Sequence, residues 1–159
     1  MNCIVIYFSR RGHTKAVATE ISRQLNCDTK DIVPAKWYSG FYMRCLIRSY
    51  KEKRDGILPP IRGKLNLSLY DTIILGFPVW WGSAPRVIFS FMKSHKIQGR
   101  RIIPFCTYRG SAANADKDLT EAFPDNEWRG LFAVKSAKAK RCSKEVEEFI
   151  KKHNLKQDG

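Results

Sequence analysis

Acidic residues are scarce in this sequence relative to basic ones. It has 15 Asp and Glu against 29 Lys and Arg, which gives a formal net charge of +14 over 159 residues. This balance excludes an overall acidic surface and favours anionic company, such as phosphates, nucleic acid, an acidic protein or an anionic membrane surface. Charge alone does not select among these partners.

Long apolar runs are also missing. The N-terminal run from Cys3 to Phe8 follows no basic region, and it is too short for a signal peptide or for a helix that spans a bilayer. The sequence therefore predicts a cytoplasmic protein with no membrane span.

The cysteines and histidines lack the spacing of a metal site. The cysteines lie at positions 3, 27, 45, 106 and 142, an odd number without any C-x-x-C spacing. Buried reduced thiols are therefore favoured over a disulfide or metal framework. His13, His95 and His153 lie far apart in the chain, so no metal site is predicted.

Strand-like and helix-like segments alternate along the chain. Continuous apolar runs predict strands near residues 3–8, 70–79, 102–107 and 131–134, with a weak further strand at 31–33. Apolar residues at helical spacing predict helices near 15–25, 85–95 and 143–153. Further helices are predicted near 42–53, after an irregular segment, and near 114–122. This alternation predicts an α/β fold with parallel strands. The length favours a single domain over residues 1–155 and a loose tail at 156–159.

The segment Gly76–Pro85 follows one of these apolar runs and contains two adjacent tryptophans, Trp80 and Trp81. Its glycines and prolines indicate a loop at the carboxyl end of a buried strand. Adjacent side chains in a loop point in different directions, so both indoles cannot easily enter one core. Because open α/β sheets bind ligands at the carboxyl ends of their strands, we expect at least one indole to face a planar aromatic cofactor.

The loop that begins at Ser9 is a candidate anion site, because it joins the first strand to the first helix. The first-turn N–H groups of a helix lack internal partners and carry the positive end of the macrodipole. Ser9 and Thr14 add hydroxyl donors, and Gly12 permits a tight turn. Arg10 and Arg11 add positive charge, although neither the Walker pattern nor the dinucleotide fingerprint is present. The alternative is that Thr14 caps the helix and the arginines are only solvated.

Three motifs together resemble the flavodoxin family. Residues 9–14 resemble its S-x-x-G-x-T phosphate loop, residues 76–82 (G-F-P-V-W-W-G) its Trp-Gly loop, and residues 105–111 its third FMN loop. The resemblance covers essentially the whole chain, and it is closest to a subfamily with two tryptophans in the second loop. It implies a flavodoxin-like three-layer sandwich, with a five-stranded parallel sheet in the order 2-1-3-4-5.

The resemblance also implies FMN as the cofactor. Its phosphate would lie in the first loop, its ring system against Trp81 or Trp80, and its pyrimidine edge near residues 107–111. Gly82 is expected to change its backbone orientation when the flavin is reduced. The cofactor-binding residues implied in this way are Ser9, Arg10, Arg11, Gly12, His13, Thr14, Pro78, Val79, Trp80, Trp81, Gly82, Thr107, Tyr108, Arg109, Gly110 and Ser111.

The implied function is electron transfer, with FMN carrying one or two electrons between redox partners and no catalytic side chain. The chain departs from the family in its charge, because flavodoxins are usually acidic. Ser83 and Ala84 stand where acidic residues usually follow the Trp-Gly pair, and Tyr108 and Arg109 stand where small residues are usual. We therefore expect an acidic redox partner protein. We also expect a flavin potential that is raised by Arg109, helped by the arginines at 10, 11 and 86.

Two alternatives to an electron carrier stay open. An FMN-dependent oxidoreductase would reduce a small molecule such as a quinone, but the absence of a recognisable nicotinamide site or acid/base pair favours the carrier. A non-redox module would bind nucleic acid or another polyanion through residues 36–54, where bases alternate with aromatic residues. For this segment we favour aromatic side chains that cover the sheet, with solvated bases. A third possibility is that it forms a substrate wall beside the flavin.

Overall fold

A parallel sheet forms the centre of the computed structural model, which describes residues 1–155. Its strands within this range are β1 (Cys3–Tyr7), β2 (Asp28–Asp31), β3 (Thr72–Pro78), β4 (Arg101–Tyr108), β5 (Glu127–Trp128) and β6 (Phe132–Lys135). The helices are α1 (His13–Leu25), α2 (Tyr42–Asp55), α3 (Arg86–Ser94), α4 (Lys117–Ala122) and α5 (Ser143–Lys152), with a 3₁₀ helix at Ser136–Arg141. The loose tail predicted at 156–159 lies outside the described residues.

The strand order is β2-β1-β3-β4-β5, and β6 also pairs with β4. Every strand pair is parallel, so the predicted fold class and strand order are confirmed. The predicted fifth strand, however, has two parts. β5 pairs with the start of β4 and β6 pairs with its end, while residues 129–131 interrupt the edge between them.

The second strand differs from its predicted position. It was expected at residues 31–33, but the structure forms it at Asp28–Asp31. Every side chain of this edge strand is exposed, so it carries no apolar pattern, and its backbone pairing with β1 alone defines it. Ile32, which supplied the apolar signal, is buried just after the strand and its N–H still donates to the Tyr7 carbonyl at 2.7 Å.

The central strands are covered on both faces, because successive side chains of a strand point to opposite sides. On one face Ile6, Leu75 and Phe77 pack with residues of α3 and α4; on the other, Val5 and Ile74 pack with residues of α1 and α5. Each fully buried aliphatic side chain contributes about 1.5–3 kcal/mol relative to its exposed state. These two apolar layers fix the sheet, and with it the loops at its carboxyl edge.

β3 and β4 approach each other closely at one glycine. A Cβ atom built on Gly76 would lie 2.0 Å from Cζ of Phe105, whose ring is fully buried. The φ angle of Gly76 is not left-handed, so its backbone conformation alone would admit other residues. Glycine is required here because of packing against Phe105. The contact sets how the two strands that carry the second and third candidate loops lie against each other.

Residues 36–54 do not cover the sheet as predicted. Tyr38 is buried, but Trp37, Phe41, Tyr42 and Tyr50 are between 47% and 72% exposed. The interpretation of this segment as a cover for the sheet is therefore right for Tyr38 and wrong for Phe41, Tyr42 and Tyr50. Trp37 is intermediate, because half of it is exposed while its ring lies 6.0 Å from that of Phe8. Within residues 1–155, no helix is both long enough and apolar enough to cross a membrane.

Candidate functional site: a cleft at the carboxyl edge of the sheet

A cleft of about 480 Å³ opens where β1, β3 and β4 end. Its size is within the range of small-molecule sites, which is roughly 300–1,000 Å³. It is lined by residues 9–11, 13–14, 42, 45–46, 49, 78–82, 107–111 and 136. All of the sequence-predicted site residues line this cleft except Gly12, which lies in the first loop between two of them. Three segments that are far apart in the chain thus meet in one place.

The first loop ends at Gly12, which is the N-cap of α1 and has a left-handed φ of 94°. Glycine adopts this conformation without the steric cost that a Cβ atom would add. The Gly12 N–H donates to the Ser9 side-chain oxygen at 3.0 Å, which closes the turn. Within the described residues, no side chain caps α1 and no acidic residue occupies its first turn. The positive end of this 13-residue helix therefore faces the cleft without a competing carboxylate.

Thr14 does not cap the helix, so this alternative for the first loop is wrong. It lies inside α1, is 1% exposed, and its hydroxyl shares a 2.8 Å hydrogen bond with the hydroxyl of Thr107 at the end of β4. Because both hydroxyls are buried, leaving one of them unpaired would cost about 1–3 kcal/mol. The bond is therefore strongly favoured. The bond joins the first and third loops directly.

The arginines predicted to act near the site lie in different surroundings. Arg10 is half-buried and donates to the Ser39 carbonyl at 2.7 Å, so its charge is held beside the cleft rather than only solvated. Arg11 is exposed, with its guanidinium 6.0 Å from the centre of the Tyr42 ring. Arg86 is the exception: it donates to backbone carbonyls at positions 56 and 57 and does not line the cleft.

The two tryptophans belong to a two-residue turn. The backbones of Trp80 and Ser83 exchange two hydrogen bonds, at 2.9 and 3.1 Å, and the residues between them both have left-handed φ angles: 54° at Trp81 and 71° at Gly82. Left-handed angles at both central positions are typical of a type I′ turn. A residue other than glycine costs roughly 1–2 kcal/mol in this conformation, so the position of Trp81 needs support from elsewhere.

Helix α2 supplies that support. The Trp81 indole N–H donates to the Ser49 hydroxyl at 3.0 Å, and the Trp81 ring meets the Tyr50 ring edge-on at 5.3 Å between centres. The Lys53 ammonium donates to the Trp81 carbonyl. Three neighbouring positions of one helix thus hold the turn that closes the cleft.

The two indoles have different environments. Trp80 is half-buried, with its ring edge-on to Phe8 at 5.3 Å and to Tyr38 at 4.9 Å. Trp81 is 44% exposed, and both indoles line the cleft. Trp80 therefore anchors the turn to the core, and Trp81 is the more exposed of the two indoles.

A buried polar group lies beneath the turn. Tyr38 donates its hydroxyl to both oxygens of Glu52, at 2.5 and 2.9 Å, and the Arg48 guanidinium lies 3.4 Å from the same carboxylate. Burial raises the pKa of Glu52, although Tyr38 and Arg48 oppose this shift. Burial and the adjacent carboxylate raise the pKa of Tyr38. These contacts among Tyr38, Arg48 and Glu52 tie α2 to the segment that precedes it.

Helix α2 provides one wall of the cleft. The sequence left a wall from residues 36–54 as one of three open interpretations, and it did not identify the residues that form it. Tyr42, Cys45, Leu46 and Ser49 line it, together with Ser136 of the 3₁₀ helix. The α2 residues recur at spacings of three and four, which places them on one face of the helix. That spacing was visible in the sequence, but nothing in it indicated which face would lie over the cleft. Burial raises the pKa of the Cys45 thiol, which favours its neutral form.

Comparison with known proteins gives one consistent family. A family model described as Flavodoxin matches residues 2–152. The chain is 32% identical to a protein from Bacteroides uniformis described as a flavoprotein, with 94% of this chain and 97% of that chain covered and a TM-score of 0.85. A protein from Bacteroides eggerthii with the same description is 28% identical over 94% of this chain and 96% of that one, with a TM-score of 0.83.

A third solved structure is a flavoprotein from Lactobacillus acidophilus in complex with FMN. It is 19% identical, covers 83% of this chain and 92% of that chain, and has a TM-score of 0.76, so the likeness is one of fold. A search of curated proteins found no match to the sequence. On the strength of the family model and the Bacteroides uniformis relative, the chain belongs to the flavodoxin family.

Proposed function

We propose that the chain binds FMN non-covalently in the cleft and carries electrons between redox proteins. The observation that carries this proposal is the meeting of three separate segments, near residues 9–14, 78–82 and 107–111, around one cleft of about 480 Å³. Family membership and the FMN complex of the Lactobacillus acidophilus flavoprotein support the choice of ligand. We further propose that residues 1–155 act as one domain.

The first loop fits a phosphate group. The start of α1 offers backbone N–H groups and a positive dipole end, and the Gly12 turn holds the loop close to it. The Ser9 oxygen accepts the Gly12 N–H, which leaves its own hydroxyl proton available to a ligand. Arg10 and Arg11 add positive charge beside these donors. These residues would hold the phosphate of FMN.

The remainder of the cleft fits a flat aromatic ring. Trp81 lies on one side, and the α2 wall contributes Tyr42 and Leu46. Residues 107–111 supply backbone donors and acceptors at the end of β4. Apolar walls with a few fixed polar groups are typical of cofactor sites. The chain would hold the ring by these contacts and exclude water from most of its surface.

The bound cofactor would supply the transfer of one or two electrons, while the protein supplies position and electrostatics. Gly82 has no Cβ atom, so its backbone can present either an N–H or a carbonyl to the cleft at low cost. The net charge of +14 favours an acidic redox protein as the partner.

Titration of the ligand-free protein with FMN and with riboflavin tests this function. Riboflavin has the same ring system but lacks the phosphate, so we expect it to bind at least about tenfold more weakly, since charge-assisted hydrogen bonds contribute about 1.5–3 kcal/mol. Binding is followed through the visible absorption and the fluorescence of the flavin. Failure of FMN to alter either signal at high protein concentration would contradict the proposal.

A second candidate is an FMN-dependent oxidoreductase that reduces a small molecule such as a quinone. The α2 wall favours it, because Tyr42, Leu46 and Ser49 extend the cleft beyond the residues implied for FMN. Steady oxidation of NADH or NADPH by the FMN-loaded protein in the presence of a soluble quinone would establish this activity in place of the carrier role.

A further inference from the structure

An unusual share of the exposed apolar surface lies in one short stretch. Of the nine large apolar side chains that are exposed within residues 1–155, six fall between positions 37 and 50. We name this group the aromatic ridge: Trp37, Phe41, Tyr42, Met43, Ile47 and Tyr50. Phe41 is 72% exposed and Met43 64% exposed. Contiguous exposed apolar patches of this kind mark interaction sites in soluble proteins.

Helix α2 divides its surface into distinct faces. Cys45, Ser49 and Glu52 are buried toward the core. Met43, Ile47 and Tyr50, spaced by four and three residues, form a stripe that points outward. Met43 and Ile47 are exposed and have no place in the core, so their apolar character is not explained by folding. Tyr50 in addition meets the Trp81 ring.

The aromatic ridge also carries positive charge. Between residues 36 and 54 the sequence has six Lys and Arg, and its one acidic residue, Glu52, is buried. Arginine side chains lie over exposed rings: Arg44 is 5.3 Å from the centre of the Phe41 ring, and Arg54 is 5.8 Å from that of Tyr50. Arg54 is already paired with the carboxylate of Asp55, so it adds less free charge than Arg44. Apolar contact and recognition of carboxylates are therefore offered by the same surface.

We propose that the aromatic ridge is the docking surface for an acidic redox protein. This inference rests on the electron-carrier function proposed above and adds the surface through which it would operate. Tyr42 belongs both to the ridge and to the lining of the cleft, so a protein seated on the ridge lies at the mouth of the cleft. Continuity between the two surfaces is what a carrier requires of its docking site.

Charge and composition favour an acidic redox protein on the ridge over a second copy of the chain or a membrane. A second copy of the chain also carries +14, so its approach is opposed by electrostatic repulsion. The residue types of the ridge and its flank, aromatic residues with Met and Arg, are those enriched at protein–protein interfaces and at their hot spots. An anionic membrane would satisfy the charge but would not bring a redox centre to the cleft.

The test uses isotope-labelled protein and a plant-type ferredoxin, a small acidic protein whose paramagnetic cluster broadens nearby amide signals. We expect broadening confined to α2, to residues 37–41 and to the cleft mouth. Because the attraction is electrostatic, the Kd should rise at least about tenfold between about 50 and about 300 mM NaCl. The double substitution Phe41→Ser with Met43→Ser should raise the Kd at least about tenfold.

Leu69→Ser is the matched control, since Leu69 is 74% exposed and precedes β3, away from the carboxyl edge of the sheet. It should leave the Kd unchanged, and circular dichroism should show all variants folded. Equal ferredoxin affinity in the double variant and the parent protein would overturn the proposal, as would broadening centred outside the ridge. Ridge-dependent binding to vesicles of phosphatidylcholine and phosphatidylglycerol, without ferredoxin binding, would overturn it in favour of a membrane.

Each titration is repeated with and without FMN, so that the two proposals fail separately. Ferredoxin binding at the ridge in a protein that takes up no FMN would retain the docking surface and remove the carrier function. Normal FMN binding, with no effect of the ridge substitutions on ferredoxin binding, would retain the FMN-binding function and remove the docking surface.

Discussion

The strand pair β3–β4 and the aromatic ridge use similar side chains in opposite ways. Phe77 and Phe105 are fully buried between layers, whereas Phe41 and Tyr42 face solvent. The strands are mostly apolar, and all of their side chains except those at the strand ends are buried. In the ridge, bases stand between the aromatic residues and keep the segment at the surface. Apolar residues in the first region hold the site in place, and those in the second are available to a partner.

The largest effect is expected from Gly76→Ala. The new Cβ would overlap the Phe105 ring, and overpacking of this kind costs about 3 kcal/mol of unfolding free energy. Gly40→Ala, beside the ridge, is the control, because its Cβ would meet no atom within 4 Å. Urea unfolding of both variants measures the difference. A Gly76→Ala protein as stable as the Gly40→Ala protein would show that the two regions do not differ in packing.

Trp80 and Trp81 allow the same comparison, between a structural and an accessible aromatic side chain, at adjacent residues. Trp80→Ala should lower the free energy of unfolding by about 2 kcal/mol, since it removes a half-buried ring from Phe8 and Tyr38. Trp81→Ala should cost less than about 1 kcal/mol in stability but raise the Kd for FMN about tenfold, through loss of aromatic stacking. Urea unfolding and FMN titration of both variants are needed. Equal losses of stability would contradict the division of roles.

The pH dependence of the free energy of unfolding tests the burial of Glu52 on α2. Its raised pKa means that the folded protein holds the proton more tightly than the unfolded chain does. Its contribution to stability is therefore present below the ordinary glutamate value of 4.5 and is lost as the pH rises through the higher folded value. Glu52→Gln should flatten this fall in urea unfolding measured across the acid range, whereas the exposed Glu121→Gln should not. An unaltered pH profile in Glu52→Gln would contradict the assignment.

The smallest effect is expected from Arg109→Ala. Arg109 is exposed at the cleft, so loss of its charge should lower the flavin reduction potential by on the order of tens of millivolts at low salt, and by less at high salt. Lys93→Ala, at the far end of α3, is the control. Spectroscopic redox titration of the FMN-loaded proteins measures the shift. A potential that stays the same or rises in Arg109→Ala would exclude the proposed electrostatic role.

The sequence predicted the fold where burial leaves a pattern. β3 and β4 are buried on both faces, so their apolar runs identified them closely. β2 was misplaced and β5 was missed, because both are edge strands defined by backbone pairing and have few buried side chains to mark them. Side-chain patterns do not carry information about backbone pairing at an exposed edge.

The candidate site divides in the same way. The first two loops were predicted because glycines, hydroxyl residues and tryptophans follow predicted strands, and the parallel topology brings the ends of those strands together. As part of the site, the third loop was implied only by the resemblance to the flavodoxin family. A wall from residues 36–54 was only one of three interpretations of that segment. The sequence could not select it, since the orientation of a mostly exposed helix depends on contacts such as Trp81–Ser49, which join residues far apart in sequence. The burial of Glu52 was hidden for the same reason.

The hydrogen bond between Thr14 and Thr107 joins residues separated by 93 positions, and it can form only after β4 has aligned beside β3. A chain that has assembled only its first strands and helix therefore lacks a complete ligand cavity. Uptake of a ligand would then report completed folding, and by mass action it would protect the finished molecule from unfolding and proteolysis.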